Sequence, residues 1–494
     1  MDGDRDGSPL FDYRTFHRQV MGPSNEKKGV NGVSRWHWSK VVGLTGIVGM
    51  MTVGFGLPSR AATKAPVLAN VAVSTATVEN EVAPTALGIN TSIADGNLYS
   101  QGVPARIESL GIQLLRWPGG SIADTFDWST EEFALQDFAQ LMQQVHSQAV
   151  ITVNYGSGTP AQAAAEVRYA NVTNHYGIQY WEIGNEQYGD GEYQHNAWEE
   201  NLWPSKSPHA YAENSLKFIQ AMRQVDPHID IGVVATIPGQ WPSGLKPYWD
   251  RTILPIVAKH INFVVLHFYP SDSVQSHSAL LQDTNSIAQS MNTMKAYLKK
   301  YAGAHAKHIR IFVDETNSSS TSSQETISLA NALFLAKDYN DWLKNGASNV
   351  SWWDLQTSLP SYSRTTPGFG VISAGLPGQA PINAPYPTYF GYRLVHFLAQ
   401  PGDSYVAATS SQPLLASYAV TDPNGGIGLM LVNTSPSETY NTRYHGLTSR
   451  DGEKATVRYY GIGSSKLTTT STTWNGTVAS PPYSITEISM GPRH

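Results

Sequence analysis

Short apolar runs alternate with amphipathic segments through the middle of the chain, between residues 84 and 400. Eight of the runs are rich in β-branched and aromatic residues, which favours strands at 85–90, 113–117, 149–155, 180–185, 229–235, 261–269, 309–314 and 349–355. Apolar residues at helical spacing fill most intervals, at 132–146, 160–175, 209–225, 248–260, 278–301 and 326–345, and again at 386–399. Strands alternating with helices indicate the α/β class. Eight such strands predict a (β/α)₈ TIM barrel over residues 84–400, with a doubly wound open sheet as the alternative.

The pattern changes after residue 400 to short strands and turns. Strands are predicted at 404–408, 414–420, 426–432, 455–460 and 484–489, and no long helical pattern follows. Residues 401–494 are therefore predicted to form a C-terminal β-sandwich domain. One more strand pattern, within residues 64–83, is predicted to join that sandwich from the other end of the chain.

Residues 1–63 form an N-terminal tail that does not continue the barrel pattern. Arg35 and Lys40 precede an apolar run at 41–57, and small residues follow it. This order is typical of a cleaved secretory signal, which predicts a secreted protein. An uncleaved membrane anchor is the alternative, because the run approaches the length that spans a bilayer. The natural start of translation can also lie downstream, for example at Met21.

Composition excludes several kinds of function. The 33 Lys and Arg residues against 39 Asp and Glu give a net charge of −6 without a basic stripe, which argues against nucleic acid as a partner. The chain has no cysteine, so disulfides, thiolate metal sites and cysteine nucleophiles are excluded. His, Asp and Glu do not cluster at metal-ligand spacing, and no cofactor or catalytic metal is expected. The 13 Trp and 25 Tyr residues suit a sugar-binding surface, although core packing explains most of them.

Polar residues follow six of the eight predicted strands, where the functional residues of a barrel gather. Glu186 follows the fourth strand in Asn185-Glu186, and Glu315 ends the seventh. Two paired carboxylates are what cleavage of a glycosidic bond requires, one to protonate the leaving oxygen and one to stabilise or trap the sugar cation. Either glutamate alone is better explained as a solvated loop residue. Glu182 is predicted to pair with a buried cation, and Asp314 to brace the seventh loop.

Three segments around these residues resemble clan A retaining glycoside hydrolases: 116–120, 181–189 and 313–317. The stretch 152–160, followed by Tyr176-Gly177 and the strand ending at Glu186, most resembles the family 51 α-L-arabinofuranosidases. The resemblance covers roughly residues 66–494. The Asn-Glu pair and the second glutamate are specific to the clan and much less specific to one sugar.

The resemblance implies a role for each residue that matches. Glu186 corresponds to the general acid/base and Glu315 to the nucleophile, while Asn185 corresponds to the residue that bonds the sugar 2-hydroxyl. Burial and the charge of Glu315 are expected to keep Glu186 protonated, and Arg116 is expected to keep Glu315 ionised. The predicted substrate-binding residues are Arg116, Asn154, Asn185, His267, Tyr269 and Trp353.

Three positions depart from the family 51 pattern. Thr316 stands where family 51 usually has an aromatic residue, and Ser121 stands where it commonly has an asparagine. The eighth strand, at Trp352-Trp353-Asp354, is as similar to families 39 and 30 as to family 51. The loop after the fourth strand carries four rings that either line the site or pack the loop, at Tyr188, Tyr193, Trp198 and Trp203.

The resulting hypothesis is a secreted retaining glycoside hydrolase with an oligo- or polysaccharide substrate, most similar to an α-L-arabinofuranosidase acting on plant-type polysaccharide. The alternatives are a β-glycosidase or endo-β-glucanase, a β-glucuronidase, or an inactive carbohydrate-binding protein.

Overall fold

The computed structural model describes residues 65–190, 197–238, 248–357 and 368–492. The apolar run predicted as a signal or anchor therefore lies outside the described residues, as does Tyr193. Along the described chain, no helix is both long enough and apolar enough to cross a membrane. One compact unit, Thr63–His494, contains the two sheets of the fold.

The larger part of this unit is a closed barrel of eight parallel strands. The first strand of the chain, β1 (Val67–Glu81), belongs to the second sheet, and the barrel begins after it. The barrel strands, in order, are β2 (Leu87–Asn90), β3 (Leu114–Trp117), β4 (Gln148–Val153), β5 (Tyr180–Ile183), β6 (Asp230–Val234), β7 (Phe263–Phe268), β8 (Arg310–Thr316) and β9 (Asn349–Trp352). Pairing of β2 with β9 closes the ring, so the barrel prediction is confirmed and the open sheet is excluded.

Helices lie between the barrel strands and beyond the last one. They are α1 (Val103–Leu110), α2 (Glu132–Gln144), α3 (Pro160–Val167), α4 (Pro208–Val225), α5 (Tyr248–Val257), α6 (His277–Leu280), α7 (Ile287–Ala302), α8 (Leu329–Lys344) and α9 (Pro387–Leu398). Several begin with a side-chain cap that the sequence displays. Thr159 caps α3 and Ser207 caps α4, and each is followed by a proline, whose missing N–H is not needed in the first turn.

Two predicted helices differ from the structure. The segment predicted at 160–175 leaves α-helical geometry after Val167 and continues as a wider π-type turn, Arg168–Thr173. The segment predicted at 278–301 is divided, because the 3₁₀ turn Asp283–Ser286 separates α6 from α7. The short helix α1 was not predicted.

The inside of the barrel is filled in two layers because inward-facing residues recur at every second strand position. The lower layer is apolar, and within it Phe263 stacks on Phe312 at 4.6 Å between ring centroids. Two residues further along each strand, the upper layer is polar and consists of Arg116, Thr152, Glu182, His267 and Asp314. The apolar layer therefore supports a charged layer just below the C-terminal ends of the strands.

The second sheet has nine strands. The additional strands are β10 (Ser404–Ser410), β11 (Leu415–Thr421), β12 (Ile427–Asn433), β13 (Tyr440–His445), β14 (Lys454–Gly461), β15 (Thr468–Thr473), β16 (Thr477–Ser480) and β17 (Ser484–Met490). Their order, β15-β14-β17-β12-β11-β10-β1-β13-β16, places β1 inside the sheet, where it pairs with β10 and β13. The sheet curls, since Val71, Leu429, Tyr444 and Ile488 share one apolar cluster. The predicted C-terminal β-domain is thus a single curled sheet, and β13 and β16 were not predicted.

Candidate active site

Glu315 lies at a β-bulge near the end of β8. Leu266 of β7 pairs with Val313, but the next residue, His267, pairs with Glu315, so Asp314 is the extra residue. In a regular strand, neighbouring side chains point to opposite faces of the sheet, and a bulge changes the direction of the side chains next to it. Glu315 Oε1 accepts a hydrogen bond from Arg116 Nη1 at 2.6 Å, and Oε2 accepts one from the Tyr269 hydroxyl at 2.8 Å. The guanidinium and the phenol thus fix both oxygens of this carboxylate.

Glu186 lies in a tight turn directly after β5. Its backbone is left-handed, with φ 37° and ψ 38°, a conformation that costs free energy for a residue with a side chain. The turn is closed by a hydrogen bond from Gly189 N to the Glu186 carbonyl at 2.6 Å. The left-handed conformation directs the Glu186 side chain into the same cavity as Glu315.

Three side chains donate to or share a proton with the Glu186 carboxylate. The Tyr188 hydroxyl donates to Oε1 at 3.1 Å and Trp198 Nε1 donates to Oε2 at 2.6 Å. His267 Nδ1 lies 2.9 Å from Oε1. Burial by itself raises the pKa of Glu186, but the hydrogen bonds and the charge of His267, with the Trp198 and Tyr188 bonds, outweigh it and leave the pKa lowered. This direction is opposite to the expectation that burial keeps Glu186 protonated.

His267 connects the two glutamates. Its Nδ1 lies 2.9 Å from Glu186 Oε1 and 3.5 Å from Glu315 Oε2, and its Nε2 lies 3.1 Å from Asp314 Oδ1. Burial lowers the pKa of this imidazole, but the surrounding carboxylates reverse the shift and hold it well above its ordinary value. The two shifts have directions that favour the proton of the Glu186–His267 pair on the imidazole.

The separation of the two carboxylates indicates their chemistry. Oxygens of Glu186 and Glu315 and a ring nitrogen of His267 all lie within 4.8 Å of one another. Retaining glycosidases hold their carboxyl groups about 5–5.5 Å apart, whereas inverting enzymes need about 6.5–9.5 Å to admit a water molecule. The arrangement matches direct attack by one carboxylate on the sugar.

Arg116 is the centre of the charged layer and is fully buried. Its Nε lies 3.0 Å from Glu182 Oε2 and 3.2 Å from Asp314 Oδ2. Burial raises the pKa of Glu182 to about 8, although Arg116 opposes this shift. The 3.0 Å contact with Arg116 makes Glu182 the partner of a buried cation, as the sequence predicted. Asp314 pairs with Arg116 and His267 beneath the site, so its prediction as a loop brace is wrong.

A cavity of about 440 Å³ opens above these carboxylates. Aromatic rings form part of its wall, contributed by Trp198, Tyr269, Trp353 and Phe369, and the other lining residues are Ser92, Gly119, Gly120, Ser121, Ile122, Asn185, Glu186, Glu315 and Ser320. A Cβ atom on Gly120 would come within 2.8 Å of Trp353 Cη2, and Gly120 has φ 52°. Glycine at this position therefore lets the Trp353 ring approach the β3 loop.

Three of the predicted site residues do not line the cavity. Arg116 and His267 are buried beneath it and contact the two glutamates, so they hold the carboxylates and do not bind the substrate directly. Asn154 contacts neither glutamate. Its Oδ1 accepts hydrogen bonds from Ser157 N at 2.9 Å and Gly158 N at 3.0 Å, and its Nδ2 donates to the Phe126 carbonyl. The amide is used in the turn between β4 and α3, a common role for asparagine. The prediction of Asn154 as a substrate-binding residue is corrected accordingly.

The positions that depart from the family pattern have local explanations. The Thr316 hydroxyl donates to buried Asp338 at 2.9 Å and so faces away from the cavity. The Ser121 hydroxyl donates to Glu199 Oε1 at 2.7 Å. Of the loop rings, Trp198 lines the cavity, whereas the Trp203 indole donates to the Tyr155 carbonyl and packs the loop.

Sequence reasoning missed Asp124, Glu199 and Phe369. Asp124 ends a 3₁₀ turn that follows the paired glycines, and Glu199 lies thirteen residues after Glu186 in a segment without periodicity. Phe369 reaches the cavity from the chain after β9. Only the position of Asp124, soon after a strand end, carried a signal in the sequence.

Two groups of side chains have the composition of a metal site. They are Glu182, His267 and Asp314 below, and Glu186, His267 and Glu315 above, each with its ligand atoms within 4.8 Å of one another. Arg116 already supplies a cation at 2.6 Å from Glu315 and 3.0 Å from Glu182. Its charge accounts for the gathering of these carboxylates.

The chain resembles known proteins in sequence and in structure. No protein-family model matches the chain. It is 23% identical over 238 residues to an intracellular exo-α-(1→5)-L-arabinofuranosidase of Bifidobacterium longum, covering 41% of this chain and 40% of that protein. A similarly named Bacillus subtilis strain 168 enzyme is 20% identical over 263 residues, covering 45% and 50%. The chain thus spans half or less of the length of these curated relatives.

Solved structures match much more of the chain. The α-L-arabinofuranosidase from Thermotoga maritima superposes with a TM-score of 0.68 at 16% identity, covering 85% of this chain and 99% of that one. A family 44 xyloglucanase from Paenibacillus polymyxa superposes with a TM-score of 0.62 at 11% identity, covering 86% and 100%. The TM-scores show a shared fold, and at identities this low they show the fold alone. In sequence and in fold, the chain is similar to the family 51 α-L-arabinofuranosidases of clan A, which confirms the resemblance of its motifs.

Proposed function

We propose that the protein is a retaining glycoside hydrolase that acts by double displacement, with an α-L-arabinofuranoside as its substrate. The observation that carries this proposal is the spacing of Glu186 and Glu315, whose oxygens lie within 4.8 Å while Arg116 and Tyr269 hold Glu315. In the first step Glu315 attacks the anomeric carbon and Glu186 protonates the leaving oxygen. In the second step Glu186 takes a proton from water, whose oxygen attacks the anomeric carbon and displaces the Glu315 carboxylate.

The proton for the first step comes from the Glu186–His267 pair. His267 Nδ1 lies 2.9 Å from Glu186 Oε1, and the directions of the two pKa shifts favour the proton on the imidazole. Transfer of the proton from His267 to Glu186 across this hydrogen bond makes Glu186 the general acid. The transfer takes place when the glycosidic oxygen of the substrate displaces one of the hydrogen-bond donors of Glu186. The pair therefore acts as one titrating unit, whose apparent pKa values belong to both residues.

The choice of sugar is supported by the names of the relatives and by the charge of the cavity. Both curated relatives described above are named as L-arabinofuranosidases. None of the described residues that line the cavity is Lys or Arg, while Glu186 and Glu315 lie at its floor. A sugar carboxylate would meet only negative charge there, which disfavours a β-glucuronidase.

A β-glucanase is the second candidate. The matched solved structures also include the family 44 xyloglucanase and a bifunctional glucanase-xylanase, the latter with a TM-score of 0.62. Trp198, Trp353 and Phe369 offer rings on which pyranoses can stack. Release of reducing ends from a β-glucan, without release of arabinose from arabinan, would favour this candidate.

The test is a panel of nitrophenyl glycosides with the wild type, Glu186→Ala and Glu315→Ala. We expect hydrolysis of the α-L-arabinofuranoside by the wild type and loss of more than about a thousandfold in each variant, as for other essential catalytic groups. Azide should rescue both, giving a glycosyl azide of retained configuration with Glu186→Ala and of inverted configuration with Glu315→Ala. The opposite pattern would reverse the two roles. Polysaccharide binding without any hydrolysis would indicate a carbohydrate-binding protein.

We also propose that the protein is exported, because a basic, apolar and small-residue order precedes residue 64. Three matched relatives, among them the Bifidobacterium longum and Bacillus subtilis enzymes, are named as intracellular. Sequencing the N-terminus of the protein from culture medium tests the proposal. Recovery of the intact 41–57 segment in membranes would show an anchor, and recovery only from the cytoplasm would exclude export.

A further inference from the structure

Two buried carboxyl groups lie behind the Asn185–Glu186 turn and take no part in the double displacement. Asp124 ends the 3₁₀ turn after β3 and is fully buried, and Glu199, in the segment that returns after β5, is 4% exposed. Neither lines the cavity. Carboxyl groups are rarely buried without a partner, and these two come from separate loops that meet at one turn.

Asp124 receives four N–H donors. Its Oδ1 accepts from Tyr155 N at 3.3 Å and Gly156 N at 3.1 Å, and its Oδ2 accepts from Asn185 N at 3.0 Å and Gln187 Nε2 at 2.7 Å. Such a set favours the ionised carboxylate. Burial nevertheless raises the pKa of Asp124 to about 7, and an interaction with Glu199 is among those that oppose the rise.

Glu199 has the environment of a neutral acid. Its Oε1 accepts from the Ser121 hydroxyl at 2.7 Å and from Asn185 Nδ2 at 2.8 Å. Among the described residues, no N–H or O–H group reaches its buried Oε2. Burial, and then the charges of Asp124 and Glu186, raise the pKa of Glu199 well above its usual range. A proton on Oε2 satisfies this oxygen and removes the repulsion from Asp124.

Asn185 is held from both sides by charged or acidic groups. Its Oδ1 accepts from Arg116 Nη2 at 2.7 Å, which fixes the amide orientation because a guanidinium can only donate. One N–H of Nδ2 is directed to Glu199, and the amide lines the cavity. Within the described part of the chain the second N–H has no acceptor, which leaves it for a ligand.

We propose that Glu199 is a positioning residue that stays protonated, donates to Asp124, and orients Asn185 so that its free N–H meets the 2-hydroxyl of the bound sugar. The proposal rests on the proposed glycosidase function. Bonds to the 2-hydroxyl strengthen in the transition state of this reaction, so the orientation of Asn185 acts on the chemical step. Burial, and then the charges of Glu186 and Glu315, raise the pKa of Tyr188, with a smaller contribution from Glu199.

Glu199→Gln is the conservative variant. Its carbonyl oxygen can accept from Ser121 and Asn185, and its amide can donate to Asp124, as the neutral acid does. We expect kcat/KM within about threefold of wild type, since a neutral donor of the same shape keeps every bond. Glu199→Ala removes the acceptor of Asn185 Nδ2 and one partner of Asp124, and we expect kcat/KM to fall about 100-fold. Glu200→Ala is the matched control, because Glu200 is the exposed neighbour in the same segment.

A 2-deoxy substrate distinguishes positioning from a merely structural role. On the 2-deoxy analogue of the nitrophenyl glycoside, the loss caused by Glu199→Ala should shrink to a few-fold, because Asn185 then has no 2-hydroxyl to meet. An equal loss on both substrates would overturn the positioning role. A Glu199→Gln enzyme as impaired as Glu199→Ala would show that Glu199 works as a carboxylate, which overturns the proposal as well.

The protonation state has a readout that does not need activity. Infrared difference spectra of wild type against Glu199→Gln at neutral pH should show the loss of one neutral carboxyl band, and wild type against Glu200→Gln should show none. Absence of the band in the first difference overturns the neutral acid. An inactive wild type that shows the band would refute the proposed function and the positioning role while keeping the neutral acid, so the two failures are distinguishable.

Discussion

Replacing Trp198 by phenylalanine should move the pH dependence of catalysis. The change removes the indole N–H that donates to Glu186 Oε2 at 2.6 Å and retains an aromatic ring in the cavity wall. That bond is one of the interactions that lower the pKa of Glu186. Its loss should therefore raise the pKa of the Glu186–His267 pair.

The size of the effect follows from the kind of bond. A hydrogen bond to a charged group contributes about 1.5–3 kcal/mol. Trp198 is half-buried, so the lower end applies, and about 1.4 kcal/mol corresponds to about one pKa unit. Because the general acid must be protonated, the alkaline limb of kcat/KM should move to higher pH by about one unit.

The assay is the pH profile of kcat/KM with a glycoside of a poor leaving group, which depends on the proton from Glu186. A dinitrophenyl glycoside should show a weaker alkaline limb, because its leaving group needs no proton. Trp203→Phe is the control, since its indole donates to the Tyr155 carbonyl at 2.8 Å and does not touch Glu186. An alkaline limb that stays in place in Trp198→Phe, or moves to lower pH, would refute the reasoning.

Three further predictions address the charged layer and the cavity wall. Arg116→Ala leaves three buried carboxyl groups without their cationic partner and should lower the free energy of unfolding by about 3–5 kcal/mol in urea titrations. Arg116→Lys, which keeps the charge but not the planar fork, should recover part of this loss. The pKa of His267 is raised in the folded protein, so its charged form should stabilise the fold fully below the unfolded pKa of about 6.5. This stabilisation should be lost as the pH rises through the pKa of His267 in the folded protein. Thermal unfolding should show the loss in the wild type and not in His267→Asn. Gly120→Ala should raise KM about tenfold, which corresponds to about 1.4 kcal/mol of binding free energy, because the added Cβ would meet the Trp353 ring. Gly425→Ala is the control and should leave KM unchanged, since Gly425 also has a positive φ but has open space around it.

Much of the barrel was predictable because its strands and helices carry strong local patterns. All eight strands were found within a few residues of their observed bounds, and caps such as Thr159 and Ser207 mark where helices begin. The exposed β15 and the strands β13 and β16 were harder to predict, since their stability comes from pairing within the sheet. Their sequences, for example the Thr-rich β15, carry little apolar alternation of their own.

The candidate site was predictable where a residue follows a strand and not where it comes from an irregular segment. Arg116, Asn185, His267 and Tyr269 all lie at strand ends, and the structure brings them to the two glutamates. Asn154 occupies an equivalent position, but its amide closes its own turn. No periodicity distinguishes such a turn residue from a ligand-binding one.

The sequence by itself determined the barrel, the two strands that end near Glu186 and Glu315, and the absence of cysteine chemistry, because these depend on local pattern and composition. Only the tertiary structure decided the bulge at Asp314, the left-handed turn at Glu186 and the return of Trp198 and Glu199 to that turn. It also decided that His267 lies between the carboxylates, which raise its pKa while it lowers that of Glu186. The physical reason is that protonation depends on distances between groups from different strands, which no local pattern encodes.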